Sequence, residues 1–493
     1  MKLLSCWILV ALGCLDGGLE ELAEALESRH IASRRVAIRA LAELGSPRAW
    51  ELVLEGLADP AGEVADEAQW QLAHAPLGDE LLGRRGLRSS DPWVRLRTAE
   101  LFGRAARAVD GWDLARHLSR REPELSAALA WSLERLARAG SLAGDRERCA
   151  KEVARAVRFG GQPGASALVC LQAIGGAEVS SELARAARGR DVLVRAAAAE
   201  VSVRRDGPGD WGLVERLAQD EDAGVRRVLV EALSLAPSRR AARLCIDRLG
   251  QEEAPMTRAR VLHHLRSWSG LRHRYDPRPW RLWLEGLAEA WSPAAPSAPV
   301  SLPETTRTFA GIPVRSDRLC VLVDLSGSIH TKMEGEVTRR DYVALELERL
   351  LMALPEAAMF NVIGFADEPH AWSRELVKNR RGRAVEALQW FDSLGVRGKG
   401  DLFAAARLAL EDPDVDTLLV FTDGVPTGGR RWKLELMGSL LEQQCRFKGV
   451  SVDSVLVGAS ARTARCWLEI AKRTGGHSME LEVTRGPGAV SDG

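Results

Sequence analysis

Two short stretches place acidic and hydroxyl side chains where they could hold a metal ion: Asp324-Leu325-Ser326-Gly327-Ser328 and Thr422-Asp423-Gly424. Two carboxylates and two serine hydroxyls, with no lysine or arginine inside either motif, form a hard-oxygen set suited to Mg2+, or to Mn2+ or Ca2+. Without a cation the two carboxylates would repel each other. Neighbouring residues argue against other chemistries. Ser326 or Ser328 with His330 has the residue types of a nucleophile and its base, but no Gly-x-Ser-x-Gly elbow presents them, and His330 reads as part of an exposed loop. The run Gly395 to Gly400 lacks the Ser/Thr and the glycine spacing of a phosphate loop. HExxH is absent, and His263, His264 and His273 lie in an arginine-rich stretch that reads as a solvated face. A metal-activated water would have no positioned general base beyond the ligands themselves. The expectation is a binding protein with no catalytic residues.

The elements around these motifs explain why they would meet. Leu319–Val323 is a continuous apolar run ending in Asp324, as expected of a strand buried on both faces. Beyond it the pattern predicts a helix at about 340–354, a strand at Phe360–Phe365, and helices near 380–390 and 401–411. A strand at Thr417–Phe421, a helix near 430–446, a strand at Val450–Val457 and a helix near 461–474 complete it. Strands alternating with helices predict a doubly wound, Rossmann-like α/β sheet. Ligands of such sheets sit beyond the carboxyl ends of the strands, where both Asp324 and Asp423 fall.

Asp-x-Ser-x-Ser leaving the first strand resembles the metal-ion-dependent adhesion site (MIDAS) of von Willebrand factor A (VWA) domains. Phe421-Thr422-Asp423-Gly424 is similar to the family's later Asp-Gly, and the likeness covers roughly 318–485. The resemblance implies a protein-binding module. Ser326 and Ser328 would coordinate the ion directly, and Asp324 and Asp423 would supply charge directly or through water. An acidic side chain of a protein partner would complete the sphere. One departure stands out. The family usually has a threonine ligand in a Gly-x-Thr-Asn/Asp turn, whereas this chain has Gly398-Lys399-Gly400-Asp401. Gly400 stands in the threonine's place, leaving water or Asp401 to fill the gap, and Lys399 adds a positive charge. Weakened or altered metal affinity is the expectation.

Residues 17 to about 270 read as helix after helix, broken at Gly-Ser-Pro, Asp-Pro and Gly-Pro-Gly. A valine, often followed by arginine, recurs at Val36, Val64, Val94, Val194 and Val225, at steps near 30 residues or multiples of it. Asp59, Asp91, Asp191 and Asp222 precede several of these valines, and Arg258 continues the arginine series after Arg226. A two-helix period with Asp-x-x-Val-Arg opening the second helix resembles HEAT repeats of the short bacterial type. Aspartate would cap the helix, valine would enter the core, and arginine would reach along the stack towards the next aspartate. The fold class expected is therefore multidomain: an all-α HEAT-like solenoid followed by the α/β VWA domain.

Between them, 271–318 reads as a cap helix near 280–291, with Trp280 and Trp283 packing the last repeat. A Pro/Ala-rich linker follows, then an extended lead-in, Thr308–Pro313. The first fourteen residues, with Lys2, an apolar run from Leu3 to Leu12 and then Gly13-Cys14, have the order of an export signal. Ala11-Leu12-Gly13-Cys14 also resembles a lipoprotein box, which would attach the chain to a membrane at Cys14. The competing reading is a core helix of the first repeat. Residues 486–493 read as a disordered tail.

Lys+Arg and Asp+Glu are both 68, so no global field draws the chain to nucleic acid, and none is expected as partner. The eight cysteines show no metal spacing and read mainly as small buried hydrophobes, with a Cys445–Cys466 bridge conceivable in an oxidising compartment. Two non-enzymatic roles follow. One is an exported adhesion or scaffold protein; the other is a cytoplasmic adaptor for a ring ATPase, which would require Met1–Cys14 to stay in the cytosol.

Overall fold

The computed structural model describes residues 15–481 apart from 76–80, 105–107, 205–209, 294–307, 333–336 and 396–397. Met1–Cys14, most of the Pro/Ala linker and the expected tail lie outside the described residues. The first helices are α1 Leu15–Leu26, α2 Ile31–Leu44, α3 Pro47–Glu55, α4 Gly62–His74, α5 Pro92–Phe102, α6 Gly111–Ala115, α7 Pro123–Arg138 and α8 Arg146–Val157. They continue with α9 Gly161–Ile174, α10 Glu178–Ala186, α11 Val192–Arg204, α12 Trp211–Leu217, α13 Ala223–Ser234, α14 Arg239–Gln251, α15 Pro255–Ser269 and α16 Pro277–Glu285. In this part α2, α4, α5, α7, α9, α11, α13 and α15 pack each against the next, and the helices between them pack onto that row. One apolar core runs from Ile38 to Trp280 and Leu284.

A repeated device ties neighbouring helices together. Asp91 accepts hydrogen bonds from the Trp93 and Val94 amides, Asp191 from Val194, and Asp222 from Gly224 and Val225, capping the helices they precede. The arginine after each valine then bridges two places. Arg95, Arg195 and Arg226 each donate to the carbonyl six residues back, on Ser89, Gly189 and Asp220. Each also pairs forward with an acid of the next unit, Glu122, Asp220 and Glu252 respectively. Arg34 does the same with the Ser28 carbonyl and Asp59. The first unit is therefore out of step with the sequence reading. Arg34 carries the bridge, and Val36 is 42% exposed while Val64, Val94, Val194 and Val225 are buried.

His264 departs from expectation as well. It is buried and stacked on Trp268, not part of a solvated face. The reason is that α15 lies under the α/β part, where Arg260 donates to the Gly449 and Thr474 carbonyls and the Ser451 hydroxyl. Trp280 is fully buried and donates to the Arg274 carbonyl, with Trp283 edge-on at 6.0 Å.

The strands are β1 Val109–Asp110 and β2 Leu142–Ala143, a short pair among the helices, then β3 Thr308–Phe309, β4 Ile312–Pro313, β5 Arg318–Asp324 and β6 Met359–Phe365. β7 Pro369–Ala371, β8 Val377–Lys378, β9 Thr417–Thr422, β10 Ser451–Val457 and β11 Ser478–Leu481 follow. The expected extended lead-in is a tight antiparallel hairpin, β3–β4, turning through Ala310 and Gly311 at φ 47 and 91°. The main sheet runs β11-β10-β9-β5-β6-β7, with β8 also on β6. β5, β6, β9, β10 and β11 are parallel; β7 and β8 run antiparallel because the chain folds straight back onto β6.

The helices of this part are α17 Arg339–Ala353, α18 Arg381–Ser393, α19 Leu402–Glu411, α20 Leu434–Arg446 and α21 Ala461–Thr474. Alternate residues of β5 enter two cores. Leu319, Val321 and Val323 pack with α17 and α18, whereas Cys320 and Leu322 pack with α19, α20 and α21. This is the double winding that the alternation of elements predicts. All six described cysteines are free thiols, including Cys445 and Cys466. No described helix is long and apolar enough to cross a membrane.

The α/β part sits on the row of helices, held by charge. Arg446, at the end of α20, pairs with Glu134 of α7 and Glu200 of α11, both buried. Arg227 of α13 donates to the Lys448 carbonyl. Phe447, just past α20, joins the helical core.

Candidate metal centre

β5 and β9 are neighbours in the sheet, with Val323 beside Phe421, so their ends deliver Asp324 and Thr422–Asp423 to one edge. Asp324 is 5% exposed. Its Oδ1 accepts from the Ser326 amide at 2.9 Å, and its Oδ2 from the Thr422 hydroxyl at 3.0 Å. The turn Gly327–His330 then brings Ser328 Oγ within 3.1 Å of Ser326 Oγ. Burial lifts the Asp324 carboxyl above its ordinary pKa, and the Asp423 charge adds to this against the opposing bonds from Ser326 and Thr422.

Asp423 is held differently. Its Oδ1 is buried without a hydrogen-bond partner, and its Oδ2 lies 3.7 Å from Arg339 Nη1. Arg339 opens α17, whose start is fixed by a capping box between Thr338 and Asp341.

The Gly398–Asp401 turn does reach the centre. A side chain on Gly400 would put its Cβ 3.1 Å from Asp324 Oδ1, so the glycine lies against that carboxylate. The Gly400 amide donates to Thr427 Oγ1 at 2.7 Å, and its carbonyl accepts from the Thr427 and Gly428 amides. Asp401 does not join the carboxylates. Its Oδ1 caps α19 through the Ala404 amide, and its own amide donates to the Ala366 carbonyl. Lys399 turns away to Glu63 of α4 at 3.1 Å. His330, expected on an exposed loop, is half-buried at the end of the turn.

The remaining donors fit a hard divalent cation. They are all oxygens, they include two hydroxyls in contact, and Asp423 Oδ1 has no other partner. Among the described residues no group of three or more His, Cys, Asp or Glu stands ready for a metal, so an ion here would rely on hydroxyls and water beside two carboxylates. Arg339 is the group of opposing charge at the site. The sequence reading missed Thr422, Thr427 and Arg339. The first was in plain view as the residue before Asp423; the other two meet the site only through folding.

No protein-family model matches the chain. The human von Willebrand factor A domain-containing protein 3A is 28% identical over 164 residues, which is 33% of this chain and 13% of that protein. The chain thus spans about 13% of the length of the curated relative it matches, and the relationship is to its VWA domain. Among solved structures, BatB from Bacteroides thetaiotaomicron is 16% identical, covering 34% of this chain and 90% of that one, with a TM-score of 0.27. A von Willebrand factor type A protein from Catenulispora acidiphila is 14% identical, covering 35% and 40%, with a TM-score of 0.28. The RO (RSR) protein of Deinococcus radiodurans is 16% identical, covering 94% and 88%, with a TM-score of 0.23. Structural likenesses this low decide nothing about function.

Proposed function

We propose that the protein is a non-enzymatic scaffold that binds a protein partner through a MIDAS-like divalent-ion site in its VWA-type part, with a HEAT-like solenoid as a second binding surface. Asp324, Ser326, Ser328 and Asp423 hold the ion, with Mg2+ the first choice. When bound, the ion supplies a Lewis-acidic position that a partner's carboxylate can fill. Asp401 serves by shaping the turn beside it. What supports this reading above all is the buried, unpartnered Asp423 Oδ1 at the same sheet edge as the desolvated Asp324. The Asp423 charge bears on Asp324, and Arg339 sets one positive charge against two carboxylates, so a divalent ion would supply the charge still wanting. Export, with membrane attachment at Cys14, belongs to the same proposal and rests on Met1–Cys14 alone.

The test is calorimetric titration of the full chain with Mg2+. Asp324→Ala or Asp423→Ala should each abolish the binding heat while the far-ultraviolet spectrum of the helices stays unchanged. Titrations unaltered in both variants would remove the ion from the account.

A further inference from the structure

The loop that leaves Asp423 does not end at the metal centre. Thr427 and Gly428 clasp Gly400, and the helical part takes each of the next five residues, four by a backbone group and Arg431 by its side chain. The Gly62 amide donates to the Gly429 carbonyl at 3.1 Å. Arg97 donates to the Arg430 carbonyl. Glu100 holds the Arg431 guanidinium with both oxygens, at 2.6 and 2.9 Å. Asp66, fully buried on α4, accepts from the Trp432 and Lys433 amides with one oxygen, at 2.6 Å each, and pairs with Arg97 through the other. These bonds also account for α20 starting at Leu434 and not near 430. The Gly429 and Arg430 carbonyls, the first acceptors of a helix begun near 430, are bound from outside.

We propose that Asp66 is a positioning residue for the metal centre, acting through Trp432 and Lys433. By fixing 429–433 it sets where Thr427 meets Gly400 and where Asp423 stands relative to Asp324, so the metal affinity of one part depends on the grip of the other. The link is contiguous: Asp66, the 432–433 amides, the Gly428–Gly429 backbone packed on Lys399 and Asp401, Gly400, then Asp324. Linkage makes it reciprocal, so an ion at the centre must tighten the grip by the factor the grip lends to the ion. The proposal rests on the ion site above.

The experiment uses Mg2+ alone on the full chain, wild type and Asp66→Asn. The substitution keeps the shape and removes the charge. Mg2+ affinity should fall at least five-fold in Asp66→Asn at a temperature where both proteins are folded. In parallel, hydrogen exchange at the Trp432 and Lys433 amides should slow on adding Mg2+ to the wild type, and should not respond to Mg2+ in Asp423→Ala. Core amides of α9, far from the loop, report the general stabilisation that any bound ion confers, and a residue that only stabilises the fold would give no slowing at 432 and 433 beyond theirs. Equal affinities in wild type and Asp66→Asn, or amides indifferent to Mg2+ in a wild type that binds it, overturn the positioning role and leave the ion site standing. No heat from the wild type overturns the ion site and takes this proposal with it. Should Asp66→Asn not fold, Glu100→Gln loosens the same segment at Arg431 and is judged by the same outcomes.

Discussion

Arg339 places a guanidinium 3.7 Å from Asp423 Oδ2, close enough to offset part of the charge that a divalent ion would otherwise meet. An arriving ion competes with it. Arg339→Gln should therefore raise Mg2+ affinity several-fold, read by calorimetry; a fall would mean that the arginine holds Asp423 in its binding position. This residue could not be found from the motifs, because it lies between them in sequence and reaches Asp423 only when α17 is seated. Asp324, Ser326 and Ser328 were legible for the opposite reason. They follow a strand buried on both faces, and the strand's direction dictates which edge they crown. Asp401 was legible as a position but not as a role, since an aspartate one residue before a helix is as useful for its cap as for a cation.

Secondary elements with strong periodicity came out close to the sequence reading, as β5, β9, β10 and α21 illustrate, because burial on both faces or on one stripe leaves little freedom. The short strands β7, β8 and β11 were missed, being two to four residues long with no apolar run to mark them. Among the helices, the arginine bridge was legible from Asp-x-x-Val-Arg wherever a capping aspartate set the register. It failed at the first unit, where no aspartate precedes α2 and Val36 was mistaken for the core position. The bridge is a testable source of stability. Arg195 and Asp220 are both about nine-tenths buried, joined by two bonds of 2.9 and 3.1 Å. Arg195→Met should cost about 2–3 kcal/mol in urea unfolding, typical of a charge-assisted pair with its partner left behind. A loss below about 0.5 kcal/mol would reduce the bridge to decoration, as for surface pairs.

The whole molecule is two bodies joined in part through ion pairs, among them Arg446 between Glu134 and Glu200. Burial works against a charged Glu134, but Arg446 and Arg138 outweigh it and draw its pKa down to about 2. A carboxylate depressed on folding lends stability above its unfolded pKa, about 4.3, and loses it as pH falls towards 2. The junction should therefore loosen between those values, seen as lower hydrogen-exchange protection factors at 446–451. Arg446→Met should flatten that pH dependence while destabilising the protein by about 3 kcal/mol or more at neutral pH, since two buried carboxylates lose their cation.

Gly62 has a meaning at this scale that its own helix does not reveal. A single methyl there would stand 2.5 Å from the Gly429 oxygen and 2.9 Å from the Arg430 backbone carbon, and neither can step aside as a flexible side chain could. Every crowding atom belongs to the other body. The absent side chain is thus the seat on which the α/β part rests, and filling it would act as a wedge that pries the halves apart while sparing the interior of each.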